Sequence, residues 1–161
     1  MLGFLKKNKV DAKKDLFSPV TGKTIDITAV PDKVFASKMM GDGIAFQFDG
    51  DTLYSPCDGE LTMVPATLHA YGFKLANGAE VLVHIGLDTV NLNGEGFTCL
   101  VKQGSKVKVG DPIVKIDQAF MKSKGIDLTT PMVVTNGGDY SFSVVDTGKD
   151  VSAGDMVIEF K

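Results

Sequence analysis

The chain's two histidines, His69 and His84, are the residues whose type and spacing invite chemistry, because imidazole titrates near neutral pH without help from its surroundings. In Val81-Leu82-Val83-His84-Ile85, strand alternation puts Val81, Val83 and Ile85 on one face and Leu82 and His84 on the other. Gly86 follows, where it permits close backbone approach, and Asp88 lies just beyond it. Asn77-Gly78 is a strong hairpin signal between Ala70–Leu75 and Glu80–Ile85. As the two central turn residues they set Ala76 opposite Ala79 and Tyr71 opposite His84, with His69 diagonally across at about 7 to 8 Å between backbones. Thr67 adds a hydroxyl, and Asp88 and Asp32 add carboxylates.

Such a pair admits three chemistries. Neutral imidazoles can ligate zinc with a carboxylate, work as general acid and base, or divide phosphoryl transfer so that one ring accepts the group and the other donates hydrogen bonds to its oxygens. In the last case a backbone carbonyl on the second ring nitrogen would fix the nucleophile's tautomer. Spacing does not choose among them, and a histidine between apolar strand residues is also an ordinary hydrogen-bonded core residue.

The elements that must position these rings are strands. Eighteen glycines in 161 residues, with abundant Val, Ile and Thr and no long helical stripe, indicate an all-β chain. Two units recur. Phe17-Ser18-Pro19-Val20-Thr21-Gly22 returns as Tyr54-Ser55-Pro56-Cys57-Asp58-Gly59, and Val107–Ile116 returns as Val151–Phe160. Proline holds φ and glycine supplies φ > 0, so each unit reads as a turn feeding a strand. Two copies of each predict an antiparallel β-sandwich with internal pseudo-duplication, over a single domain spanning 16–161. Further strands are expected at Thr24–Thr28, Gly43–Phe48, Glu60–Val64, Gly96–Leu100, Met132–Thr135 and Ser141–Val145, and short helical turns at Lys33–Met40 and Asp117–Lys124.

Seventeen basic against twenty acidic residues give a net charge of −3, which leaves no basic excess for nucleic acid binding. Cys57 and Cys99 are too few for a disulfide framework. No apolar run reaches signal-peptide or bilayer-spanning length, so a cytoplasmic protein is expected. Residues 1–15 set Leu2, Phe4 and Leu5 beside five lysines and read either as a mobile tail or as an amphipathic contact to anionic lipid.

Several runs together resemble the glucose-type enzyme IIA proteins of the bacterial phosphoenolpyruvate-dependent sugar phosphotransferase system. They are Ser18-Pro19-x-x-Gly22, Met40–Ala45, Thr67-Leu68-His69-Ala70, Val83–Val90 with Gly94–Phe97, Val107–Pro112 and Thr130–Val134. The resemblance covers Leu16–Lys161 and implies a phosphocarrier for which no cofactor is required. His84 matches the histidine that takes phosphate from the carrier protein HPr and hands it to a cysteine of a sugar-specific IIB domain. His69 matches the second active-site histidine, and Thr67 the hydroxyl that supports it. Asp32 and Asp88 match acidic residues at the rim, facing an arginine of HPr. Val34, Phe35, Met39, Met40, Leu82, Leu87 and Val90 match the apolar collar on which partners dock. Regulatory contacts, with targets such as permeases or glycerol kinase, are also implied; zinc held by His69 and His84 with a partner's carboxylate is a further option the two rings leave open, as a regulatory contact only. With no IIB or IIC segment attached, the phosphate is expected to leave by docking to a separate protein. Lys33 and Pro65 depart from the family's usual apolar or aromatic residues.

Two rivals carry less. Lysostaphin-type zinc peptidases share a similar His-x-Gly-x-Asp string but need a further His-x-His pair, which two histidines cannot supply. Val107–Ile116 is similar to a strand of lipoyl and biotinyl domains, yet no lysine sits in the hairpin setting that attachment requires.

Overall fold

Each Ser-Pro turn is closed by its own serine. Ser18 Oγ donates to the Val20 carbonyl at 2.6 Å, Ser55 Oγ to that of Cys57 at 2.7 Å, and both serines are fully buried. The two turns also bond reciprocally: Phe17 N–H donates to Pro56 O and Tyr54 N–H to Pro19 O, each at 2.8 Å. The repeated sequence is therefore a repeated structure whose copies meet face to face.

The computed structural model describes residues 14–161. The tail and lipid-anchor readings fall on residues 1–13, outside the described residues. Asp15, assigned to the tail from sequence, is fully buried and accepts a hydrogen bond from Phe160 N–H at 3.1 Å, one residue before the expected domain start.

In chain order the elements are β1 (Leu16–Phe17), β2 (Thr21–Asp26), α1 (Lys33–Ala36), β3 (Asp42–Asp49), β4 (Thr52–Tyr54), β5 (Gly59–Met63), β6 (Ala70–Leu75) and β7 (Glu80–His84). There follow β8 (Phe97–Cys99), β9 (Lys106–Val107), β10 (Pro112–Ile116), α2 (Gln118–Ser123), β11 (Thr130–Val134), β12 (Phe142–Val144), β13 (Asp150–Val151) and β14 (Met156–Phe160). Short 3-10 turns lie at Ile27–Ala29, Thr89–Leu92 and Gly137–Asp139. The expected strand at Thr24–Thr28 ends early because the Asp26 carboxylate accepts from Thr28 N–H at 2.9 Å and starts a turn. The units Val107–Ile116 and Val151–Phe160 each break into two strands, since Asp111 and Asp155 accept the backbone N–H of Lys108 and Ser152 and close a turn between them.

An eight-stranded antiparallel sheet runs β13-β2-β3-β11-β7-β6-β5-β9, and two three-stranded sheets run β1-β14-β12 and β4-β10-β8. The long sheet is palindromic about its centre: β7 and β11 are mates, as are β3 and β6, β2 and β5, and β13 and β9. Registers agree, with Gly22 opposite Val151 just as Gly59 is opposite Val107. A pseudo-twofold axis thus passes between β7 and β11, beside the pair Met132 and Val83.

The main core lies between the long sheet and the smaller ones and is filled by Phe46, Tyr71, Phe73, Leu53, Leu61, Ile113 and Ile158 among others. Strand alternation sends a second set to the outer face, where Ala45, Val133 and Leu87 pack with Ile27, Val30 and Phe35, and half-buried Leu82 leans on them. Helix α1 has four residues, too short to stand alone. Burial of Phe35, worth about 1.5–3 kcal/mol for a side chain of this size, and the Asp32 cap hold it down. Both cysteines are free, Cys57 in the core with its thiol pushed by burial up to about 12.

Candidate functional site

His84 closes β7, and its side chain stands on the outer face with Leu82 while Val81, Val83 and Ile85 point into the core. This alternation is the expected one. The hairpin register is not: Ala70, rather than Tyr71, lies opposite His84, and Tyr71 faces Val83 in the core. The cause is the loop. Leu75 N–H donates to Ala79 O and Gly78 N–H to Leu75 O, giving a three-residue connection with Gly78 at φ +90° instead of a two-residue turn. Tertiary contacts select it, because Tyr140 Oη donates to Asn77 O and Asn136 Nδ2 donates to Gly78 O.

Just before β6, the Pro65 carbonyl accepts from Leu68 N–H and closes a turn in which Leu68 is left-handed at φ +56°. That turn presents Thr67 and His69. His69 O accepts from Ile85 N–H at 2.7 Å, which ties the two histidine segments together. The rings then meet edge-on, with centroids 4.9 Å apart and planes at 82°.

Each ring has one nitrogen engaged. His84 Nδ1 is 2.7 Å from the Gly86 carbonyl, and since a carbonyl has no proton to give, Nδ1–H is the donor and Nε2 of the neutral ring carries the lone pair. His69 Nδ1 is 2.7 Å from Thr67 Oγ1. The backbone carbonyl expected for the tautomer is thus that of Gly86, whose φ of +75° suits glycine.

Burial holds the His84 imidazole below its ordinary range, opposed by the Gly86 carbonyl and then by the charges of Asp32 and Asp88. Burial also lowers His69, and the neighbouring His84 lowers it further. Both rings are therefore biased toward the neutral form at pH 7.

Around the pair, the Phe35 ring lies 5.1 Å from that of His84. Asp32 caps α1, accepting from Val34 N–H at 2.9 Å and Phe35 N–H at 3.4 Å, so this carboxylate positions Phe35 besides acting on His84. Phe35 and Leu87, expected in a docking collar, are buried and form its floor; Val34 and Val90 are exposed. Met39 and Met40 are also exposed, and with Val134, Tyr140, Phe142 and Lys161 they line a separate cleft of about 610 Å³. Neither histidine lines that cleft or another of about 620 Å³ near Lys74 and Lys106. Two contacts have no signal in the sequence: Thr89 Oγ1 donates to Ile85 O at 2.6 Å, and Asp127 O accepts from Leu87 N–H at 2.9 Å.

As zinc donors, the rings offer two free Nε2 atoms, half of a tetrahedral set. Among the described residues no three His, Cys, Asp or Glu side chains cluster.

The duplication shows that the site is a one-sided addition. Following the paired strands through the pseudo-twofold, Gly43 and Val133 occupy the places of Ala70 and His84. One half carries a buried valine where the other carries a half-buried imidazole.

Fold and site together define a duplicated antiparallel β-sandwich with a paired-imidazole centre on one half. Residues 14–140 match the family described as phosphoenolpyruvate-dependent sugar phosphotransferase system, EIIA 1, and the chain belongs to that family. It is 46% identical over 140 residues to the glucose-specific EIIA component of Halalkalibacterium halodurans, covering 84% of this chain and 81% of that one. The glucoside-specific EIICBA component of Staphylococcus carnosus is 42% identical over 134 residues, or 83% of this chain, but this chain spans only 19% of its length. Glucose permease IIA from Mycoplasma capricolum superposes with a TM-score of 0.82 at 35% identity, covering 89% of this chain and 93% of that one.

Proposed function

We propose that this chain is a cytoplasmic phosphocarrier for a glucose-type sugar, taking a phosphoryl group from phospho-HPr on His84 Nε2 and passing it to a cysteine of a sugar-specific IIB domain. The observation that carries the reading is the edge-on pair of imidazoles, each with Nδ1 already engaged. Neutral His84 attacks phosphorus in line; the new N–P bond forms as the donor's bond breaks, and Nδ1–H stays on the Gly86 carbonyl. Such transfer passes through a loose transition state in which positioning and charge stabilisation do most of the work. With the Thr67 hydroxyl donating to His69 Nδ1, His69 Nε2–H is free to donate to a phosphoryl oxygen, a stabilisation worth about 10²–10³ in rate at comparable sites.

The surroundings suit transfer between proteins. Exposed Val34 and Val90 over the buried floor of Phe35 and Leu87 form an apolar rim that a docked partner would cover, excluding water from the phosphohistidine. Asp32 and Asp88 supply negative charge for a cationic donor side chain. The same face would serve regulatory partners.

The test is incubation with phosphoenolpyruvate, enzyme I and HPr, followed by mass measurement of acid-labile phosphate. Wild type gains one phosphate on His84 and His84→Ala gains none. His69→Gln is phosphorylated but fails to pass the group on. Phosphate on His84→Ala overturns the reading, and loss of acceptance in both variants overturns the division of roles.

A further inference from the structure

We infer that Thr89 is a positioning residue for the phosphoryl acceptor, holding the Ile85–Gly86 peptide so that the Gly86 carbonyl stays on His84 Nδ1. The inference rests on the proposal that His84 is that acceptor.

Between β7 and the turn at Thr89–Leu92, two residues are left-handed, Gly86 at φ +75° and Asp88 at φ +59°. Glycine adopts that conformation freely; aspartate does not, and the Asp88 side chain makes no capping hydrogen bond to the turn that follows. The loop must be held from outside itself.

Thr89 is fully buried, and its hydroxyl donates to the Ile85 carbonyl at 2.6 Å, closing a ring around Gly86. The same Ile85 residue donates its N–H to His69 O at 2.7 Å, so it is bonded on both sides. The Ile85 carbonyl and the Gly86 N–H share one peptide plane. Fixing that plane sets where the chain enters Gly86; the next peptide plane, which carries the Gly86 carbonyl and the Leu87 N–H, is set at its far end by the Asp127 carbonyl.

The threonine methyl and the segment around Asp127 complete the clamp. A Cβ on Gly86 would come within 2.8 Å of Thr89 Cγ2 and 3.0 Å of Asp127 O, so the loop fills its space with nothing to spare. Leu87 N–H donates to Asp127 O at 2.9 Å. Asp127 is held in turn by its own carboxylate, which accepts from Thr129 N–H at 2.9 Å and Oγ1 at 2.7 Å. Thr89 touches no reacting atom. It acts through Gly86, and its effect is on the tautomer and aim of the His84 ring.

Thr89→Val keeps the shape and removes the hydroxyl, while Thr89→Ser keeps the hydroxyl. Imidazole nitrogen NMR of the unphosphorylated protein reads the His84 tautomer, and single-turnover transfer from phospho-HPr reads function. Thr89→Val is expected to mix in the Nε2–H tautomer and to slow transfer about tenfold, with Thr89→Ser within about twofold of wild type. Because Thr89 is buried, Asp127→Ala on the exposed turn is the second variant, and Leu87 N–H is expected to lose hydrogen-exchange protection as transfer slows. A wild-type tautomer in Thr89→Val overturns the inference, whether or not transfer slows; if that variant does not fold, unchanged tautomer and transfer in Asp127→Ala do so. The tautomer readout needs no phosphate, so the two failures are distinguishable: phosphorylation of His84→Ala ends the assignment of His84 as acceptor, whereas a wild-type tautomer in Thr89→Val ends the positioning role alone.

Discussion

The His69 ring meets the His84 ring edge-on at 4.9 Å, so a proton on one raises the cost of a proton on the other. His69 is held below its ordinary range first by burial and then by His84, and replacing His84 with an uncharged residue removes the second cause but not the first. In His84→Gln the His69 midpoint is expected to rise while staying below the ordinary value of about 6.5. Imidazole titration followed by NMR measures it directly, and an unmoved His69 would mean that the two rings do not share a field.

Both imidazoles bind protons less readily in the folded chain than in the unfolded one. Between their depressed midpoints and about 6.5, the unfolded state therefore holds more protons, and stability rises with pH across that window. The contribution is fully present above the window and is lost as pH falls through it. Urea denaturation at about pH 5 and pH 7 should show the wild type gaining stability at the higher value, with a smaller gain in a variant carrying both His69→Gln and His84→Gln. Equal gains in the two proteins would place the pH dependence elsewhere.

The duplicated architecture was legible because it is written in local chemistry: Ser-Pro turns, glycines and alternating strands specify themselves, and each appears twice. The face on which His84 stands was legible for the same reason, since alternation depends on neighbours in sequence. The register of its hairpin was not. Asn77-Gly78 is compatible with two turn lengths, and the choice is made by Tyr140 and Asn136, distant residues that bond the loop backbone. The roles of Phe35, Leu87 and Asp127 were hidden in a like way. Phe35 reads only as one apolar residue of a collar, and the fold adds that its ring lies against His84; Asp127 acts through a backbone carbonyl that no side-chain pattern announces.

Asp32 has two effects that substitution can separate. It caps α1 through Val34 N–H and Phe35 N–H, and its charge favours the protonated form of His84. Asparagine keeps a capping oxygen without the charge; alanine keeps neither. Asp32→Asn should lower the His84 midpoint with little change in stability, whereas Asp32→Ala should do the same and cost about 1 kcal/mol in addition. Equal stability of the two variants, measured by denaturation, would show that the cap does not hold the helix.

The pseudo-twofold makes a prediction about energy as well as shape. Ser18 and Ser55 sit in equivalent turns, each fully buried, each donating to the carbonyl two residues on. Alanine at either place removes two hydrogen bonds, the one the hydroxyl donates to that carbonyl and the one it accepts from the N–H of the same residue, at a cost of about 1–3 kcal/mol. Because the halves are symmetric around the axis, Ser18→Ala and Ser55→Ala should cost the same within about 0.5 kcal/mol. Their turns contact each other through Phe17 with Pro56 and Tyr54 with Pro19, so the double variant should depart from simple addition by more than that margin. Strict additivity in denaturant titrations would mean that the two copies fold their turns independently, and that the reciprocal backbone bonds between them carry little coupling.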